Sequence, residues 1–380
     1  MSNTDSARYI EIAQKFADQA AERVDEISEG RRIPADLAGE MADAGLFRLL
    51  LPKSLGGVQI DHPSFVEIVR LFALADASTA WCVNQNNIFS TDSARMPKET
   101  AMEIWGQPRG IITNGPPSPD TMAVPVNNGY MHSGHWDFSS GSSHATWLAA
   151  RGPVEGRPGE VRTFLIPKSE ARMLDTWHVN GLRGSASFSF EVNNLFVPEA
   201  HTYLELNAPN DPGPMYVIPK NALFSTGFAT ISLALARACL DDAIELASKK
   251  MQFLMSTAMI DLSTVQRQIG ETESILRSAD SYLRDSRLAL WNSACERGTL
   301  TMDERINVRM SSTYAIREAT KVVDSAYELF GSQAIFARNP LQRRYQDMHV
   351  IAQQFQGRAS NYETAGRYFL GIDETATRGL

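Results

Sequence analysis

The feature that most constrains this chain is that its hydrophobic period changes twice. Up to about residue 110, apolar residues recur at intervals of three and four. In "ARYIEIAQKFADQAAERVDEISEG", Ile10, Ala13, Phe16, Ala17 and Ala20 share one helical face. From about 111 to 218, Gly, Pro and Asn rise and short alternating runs appear: "TWLAARG", "VRTFLIP" and "FSFEVNNLFVP". This is the pattern of strands separated by turns, with "NNG" at 127–129 and "EGRPGE" at 155–160 as hairpin connections. From about 219 the helical period returns in four long segments, near 222–255, 261–298, 303–331 and 341–370. The expected fold is mostly α with a central β-domain: an N-terminal helical domain over 1–110, a middle antiparallel β-domain over 111–218 and a C-terminal four-helix bundle over 219–380. Pockets favour domain junctions, so a ligand site is expected in the crevice between β-domain and bundle.

Composition removes several function classes. The net charge is -8, so no basic face for nucleic acid is expected. The three cysteines, Cys82, Cys239 and Cys295, are too sparse for a disulfide framework or a zinc site and read as small buried hydrophobes. "MSNTDSARYIEIAQKF" lacks the pattern of a signal peptide, and no apolar run reads as a membrane span; a cytoplasmic protein is expected. No GxGxxG, P-loop, HExxH or GxSxG motif occurs. His132 and His135 sit in an expected strand on opposite faces, so no metal is expected.

One stretch stands out. In "SGHWDFSSGSSHATW", residues 133–147, small hydroxyl residues, a glycine and a histidine lie between two tryptophans. Two readings are open. Trp136, Phe138 and Trp147 supply apolar faces to a flat heteroaromatic ring whose edge meets the serines, or the stretch is a strand with solvent-facing Ser and core Trp.

The order of the three zones, with "LLLPKSLGG" early, "GHWDFSSGSSHATW" and "WHVNGLRGSASFSFEVNNLFVP" in the β-domain and "YELFGSQAIFARNPLQRRYQD" near the end, resembles the acyl-CoA dehydrogenase superfamily. The resemblance implies that superfamily's fold in a flavin-binding homotetramer or homodimer. It implies that Phe138, Ser139 and Ser140 lie against the flavin ring, while Phe330, Gly331 and Gln333 approach a flavin bound mainly by a neighbouring subunit; Trp136, Ser142 and Arg183 complete the candidate cofactor site. Arg183 is also read as fixing its turn by hydrogen bonds, and Arg343, Arg344 and Asp347 as an ion-pair cluster.

Departures from the dehydrogenases refine the expectation. Those enzymes need a carboxylate to take a proton from carbon. Of the two places where the superfamily keeps it, one reads Phe355 within "QQFQG" and the other reads "NALFSTGF", with no acid. The β-domain stretch is similar instead to the flavin-dependent monooxygenase branch of two-component enzymes. That branch takes reduced flavin, FAD or FMN, from a separate flavin reductase, and its C4a-peroxyflavin oxygenates a small aromatic, heteroaromatic (indole-like), sulfur or nitrogen substrate. Water exclusion and a donor near the flavin would protect that adduct. Candidate catalytic residues are Ser140, His144, His349 and Gln354, the last standing where many relatives of the branch carry a histidine. Candidate substrate contacts are Trp81, Asn84, Asn87 and Phe355. The alternative is a flavin dehydrogenase or oxidase of the same superfamily with a relocated base.

Overall fold

The computed structural model describes residues 3–205, 207–250 and 257–372. Its first helices are α1 (Asn3–Glu22), α2 (Val24–Gly30), α3 (Ala35–Asp43), α4 (His62–Ala75), α5 (Ala77–Ser90) and α6 (Lys98–Trp105). Eight strands follow: β1 (Ile112–Gly115), β2 (Met122–Val126), β3 (Gly129–Ser139), β4 (Trp147–Pro153), β5 (Val161–Pro167), β6 (Arg172–Leu174), β7 (Phe188–Pro198) and β8 (Thr202–Tyr203). The chain continues with α7 (Pro214–Val217), α8 (Lys220–Lys249), α9 (Ser263–Arg297), α10 (Met302–Phe330), α11 (Pro340–Ala352) and α12 (Ser360–Phe369).

By contact the chain forms two units. One gathers Met1–Ile68, Ser78–Val179 and Arg183–Val217; the other gathers Val69–Ala77, Asn180–Leu182 and Ile218–Leu380. These divisions fall at different places from the change of composition at 110.

In the first unit the strands form two four-stranded sheets, ordered β1-β4-β5-β8 and β2-β3-β7-β6. Both expected hairpins are present, β2–β3 turning at Asn127-Asn128 and β4–β5 spanning 154–160. Asn128 takes the left-handed conformation, φ 63°, that such a tight turn needs. The expectation of a wholly antiparallel domain is corrected at one ladder, since β1 runs parallel to β4. The two strands are separated by β2 and β3, so the chain has room to return in the same direction. Ala123, Tyr130, Trp136, Leu148, Phe164, Ile166, Phe190 and Val197 fill the core of this structure, drawn from both sheets.

The second unit is built on α8, α9, α10 and α11. α10 packs along α8 and α9 and also against α11. Its N-terminus carries a reciprocal capping box, Thr301 accepting from the Glu304 N–H while Glu304 accepts from the Thr301 N–H. The expected segment 341–370 is corrected to two helices. Gln354 leaves the helical conformation (ψ 155°) and its side-chain oxygen accepts the Gln356 N–H, starting a tight turn between α11 and α12. The last residues of the expected 222–255 helix lie outside the described residues. α8 meets the length and hydropathy of a membrane span, contrary to the expectation from sequence, but 83% of its apolar window is buried inside the protein. A core helix looks the same by composition. Cys295 is exposed rather than buried, while Cys82 and Cys239 are buried.

Candidate active site

The connection between β3 and β4 is where the unusual serine stretch folds. A β-bulge between Trp136 and Ser139 inserts one residue, and Phe138 takes a left-handed backbone, φ 56°. Such a conformation costs a bulky residue about 1–3 kcal/mol and is retained where the surroundings require it. The bulge turns the Phe138 ring outward, 60% exposed, with Trp177 edge-on at 6.0 Å. Trp136 goes the other way. It is wholly buried in the sheet core, stacked on Phe190 at 4.9 Å, with its N–H donated to the Arg151 carbonyl. The expectation that it walls a cofactor ring is therefore corrected; the core-Trp reading describes it. Trp147 lies edge-on to His201 at 5.6 Å, at the start of β4.

The serines are mostly spent on one another. The Trp81 indole N–H donates to Ser140 Oγ at 2.9 Å; Ser140 shares a hydrogen bond with Ser187 at 2.8 Å, and Ser187 one with Ser185 at 2.7 Å. Ser142 donates to the Ala186 carbonyl. Ser139 is wholly buried and its hydroxyl has no partner among the described residues. Ser139 and Ser142 thus turn inward, which corrects the expectation that their hydroxyls meet a cofactor ring. Gly141, φ 78°, donates its N–H to the Ser185 carbonyl, and a Cβ here would stand 2.6 Å from Asn86 Oδ1, so only glycine fits this turn.

His144 closes the same turn. Its ring stacks on Phe47 at 4.8 Å, and Nε2 meets Asn86 Oδ1 at 3.0 Å. Asn86 commits its amide nitrogen to the Ile112 carbonyl, so its oxygen faces the ring and His144 Nε2 carries the hydrogen. Burial, together with the nearby Lys168 ammonium, pushes the imidazole down to about pKa 3. Lys168 itself donates to the Ser142 and Ser143 carbonyls. His144 is therefore neutral at working pH and is no base, contrary to the acid–base role expected of it. On α5, Asn87 uses its amide to hold the loop at Leu46 and Leu49, so it is a structural residue and not the expected substrate contact. Asn84 is wholly buried and neither end of its amide has a partner among the described residues. Arg183 is exposed and donates from Nε to the Ser28 carbonyl, fixing its turn.

In the helical unit, the remaining candidates separate. Phe330 ends α10; Gly331 follows at φ 58° and Gln333 is exposed, in a segment that also exposes Ile335 and Phe336. His349 pairs with Asp324 at 2.9 Å and packs against Tyr345. Arg344 pairs with Asp242, and Asp347 accepts the Leu182 N–H at 2.6 Å, while the charges of Arg343 and Arg344 both act on the Asp347 carboxyl. Burial raises the Asp347 carboxyl to about pKa 7. Gln354 caps its turn. Phe355, 41% exposed, lines a cleft with Asn221, Ala222, Ser225, Arg305, Arg309, Thr313, Gln356 and Asn361. Both sequence positions where the dehydrogenases keep their base, in "QQFQG" and in "NALFSTGF", meet in this one cleft, and none of its lining residues is Asp or Glu.

Residues 4–100 match the acyl-CoA dehydrogenase N-terminal domain and residues 226–357 the acyl-CoA dehydrogenase C-terminal domain. The indole-3-acetate monooxygenase of Pseudomonas putida is 30% identical over 92% of this chain and 90% of its own length. The chain belongs to the flavin-dependent monooxygenase branch of the acyl-CoA dehydrogenase superfamily. Another member, the FADH2-dependent resorcinol hydroxylase oxygenase component of a Rhizobium species, is 26% identical over 89% of this chain and 87% of its own. The crystal structure of a 3-HSA hydroxylase from a Rhodococcus species superposes with a TM-score of 0.86 at 26% identity, covering 96% of this chain and 97% of that one.

For a monooxygenase of this branch, the exposed Phe138 ring and the unsatisfied Asn84 amide are groups that fit a flavin: one offers an apolar face to a flat ring, and the other is a buried polar group that costs about 1–3 kcal/mol while unpaired. Sequence reasoning missed Arg305, Arg309, Gln356 and Asn361. Arg305 and Arg309 have the i, i+4 spacing of any solvated helix face, and nothing in sequence tells that no carboxylate answers them.

Proposed function

We propose that this monooxygenase oxygenates a small aromatic substrate of the indole or phenol kind, using O2 and reduced FAD or FMN delivered by a separate flavin reductase. The observation that carries this over dehydrogenation is the cleft in which both base positions meet without a carboxylate. The named substrates of the relatives, indole-3-acetate and resorcinol, support the aromatic class, and the words "oxygenase component" in one of those names support a reductase partner.

Phe138 and Asn84 would hold the flavin, with Trp81 and Ser140 fixing the turn beside them. Phe330, Gly331 and Gln333 keep, from the resemblance, a place near a neighbouring subunit's flavin. Reduced flavin, when bound, supplies the electrons that activate O2 for transfer of one oxygen atom to substrate. The protein's own residues exclude water and present neutral hydrogen-bonding groups. His144 holds its proton on Nε2 toward Asn86 and neither gives nor takes one near pH 7. His349 and Gln354 act through their structural partners, Asp324 and the 355–357 turn. The reading extends to a homotetramer or homodimer, supported by the sequence resemblance alone, and keeps the cytoplasmic location expected in the sequence analysis.

The test is turnover of indoles and phenols with a flavin reductase, NAD(P)H and O2. Product forms only when all three are present, and Phe138→Ala raises the Kd for reduced flavin about tenfold. Bleaching of bound oxidised flavin by an acyl thioester under argon, without reductase, would instead establish the dehydrogenase alternative.

A further inference from the structure

We propose that the cleft between α8, α10 and α12 receives the carboxylate of an anionic aromatic substrate through Arg305 and Arg309, an inference that rests on the monooxygenase reading above. Arg305 and Arg309 lie one helical turn apart on α10, both partly buried, and both line the cleft. Arg305 makes no side-chain hydrogen bond or ion pair among the described residues, and its buried Nε is unsatisfied. Arg309 donates from Nε to Asn361 Oδ1 at 3.0 Å, which leaves both terminal nitrogens without a partner among the described residues. Asn361 is rigidly held for this purpose, its amide nitrogen donating to Thr313 Oγ1 and to the Phe355 and Gln356 carbonyls. The Arg309 guanidinium is thus aimed, and its fork is kept open.

Two further observations point to a ligand. Gln356 is more than nine-tenths buried, lines the cleft, and its side-chain oxygen has no partner among the described residues. Phe355 lies beneath Arg309, with the guanidinium 5.2 Å from the ring centroid, and part of its ring is open. Two half-buried cations without a counter-charge are costly unless an anion arrives. Burial alone lowers the Arg309 pKa, with no carboxylate opposing it. A guanidinium fork matches a carboxylate with two parallel hydrogen bonds, and the aromatic ring beside it suits a flat apolar body on the same molecule. A neutral phenol or indole would leave both arginines unanswered.

The experiment compares an arylacetate with its isosteric arylacetamide, in reductase-coupled turnover and in calorimetric titration of the protein alone. The KM for the acetate is expected to lie about 30-fold or more below that for the amide in the wild type. In Arg305→Gln/Arg309→Gln the ratio falls to about three or less, Arg309→Lys recovers only part of it, and Arg284→Gln on the exposed face of α9 leaves it unchanged. No preference in the wild type, or a preference that survives the double substitution, overturns the proposal. The titration separates the two readings. If neither compound is oxygenated, the functional reading fails, while acetate binding to wild type but not to the double variant still upholds the cleft. If both are oxygenated equally well, the cleft proposal alone fails.

Discussion

The turn around Ser140 and the cleft around Arg309 are both made of polar side chains, but their hydrogen bonding differs. At the turn, Trp81, Ser140, Ser185, Ser187, Asn86 and His144 answer one another, and of the turn's serines Ser139 keeps an unpartnered hydroxyl among the described residues. In the cleft, Arg305, the fork of Arg309 and the oxygen of Gln356 are left open. A satisfied buried network holds the backbone in one shape, while an unsatisfied one is a place for a ligand. Substitutions at the turn should therefore lower stability, and substitutions in the cleft should alter what is bound.

The largest effects come from two titrating groups with opposite signs, the buried Asp347 and the half-buried His144. The Asp347 carboxyl, raised to about 7, keeps its proton in the folded chain at pH values where the unfolded chain has lost it. Stability therefore falls as pH rises from about 4 to 7, by roughly 3 kcal/mol in all. Asp347→Asn, whose side-chain oxygen still accepts the Leu182 N–H, should remove that slope in urea titrations and be the more stable protein at pH 8. His144, pushed down to about 3, stays neutral in the folded chain while the unfolded chain takes up a proton below about pH 6.5. Stability contributed by the neutral ring is lost on acidification, on the order of 2 kcal/mol by pH 4.5. His144→Phe keeps the stack on Phe47 and should flatten this acid limb; an unchanged limb would show that the ring charges in place.

Ser140→Ala strands the Trp81 N–H and one bond of Ser187 in a buried site. A loss of about 1–2 kcal/mol is expected in the urea midpoint. Arg305→Gln should change the same midpoint by less than about 0.5 kcal/mol, because no protein partner is lost. A large loss there would mean that the cleft is structural after all and would erase the contrast with the turn.

Much of the architecture was legible in the sequence. The change from period 3.6 to period 2 reports burial on one helical stripe or one sheet face, and "FSFEVNNLFVP" is β7 residue for residue. The parallel β1–β4 ladder was hidden because pairing direction leaves no mark on alternation. The break between α11 and α12 rests on one glutamine capping its own turn, a role that its side chain does not advertise. Within the candidate site, sequence singled out the stretch that folds into the Ser140 turn but misread Trp136. A single bulged residue flips the faces, so Phe138 stands out and Trp136 goes in. The cleft was legible only in part. The missing carboxylates are visible in the sequence, but the meeting of both positions with Arg305 and Arg309 depends on how α8, α10 and α12 pack.

The most direct test of the central claim is the origin of the oxygen in the product. With reductase, NAD(P)H, flavin and 18O2, the account predicts an aromatic product carrying one 18O atom, and none when the label is in water instead. An oxidised product that lacks the label from 18O2, formed as bound flavin is reduced by the substrate itself, would contradict it.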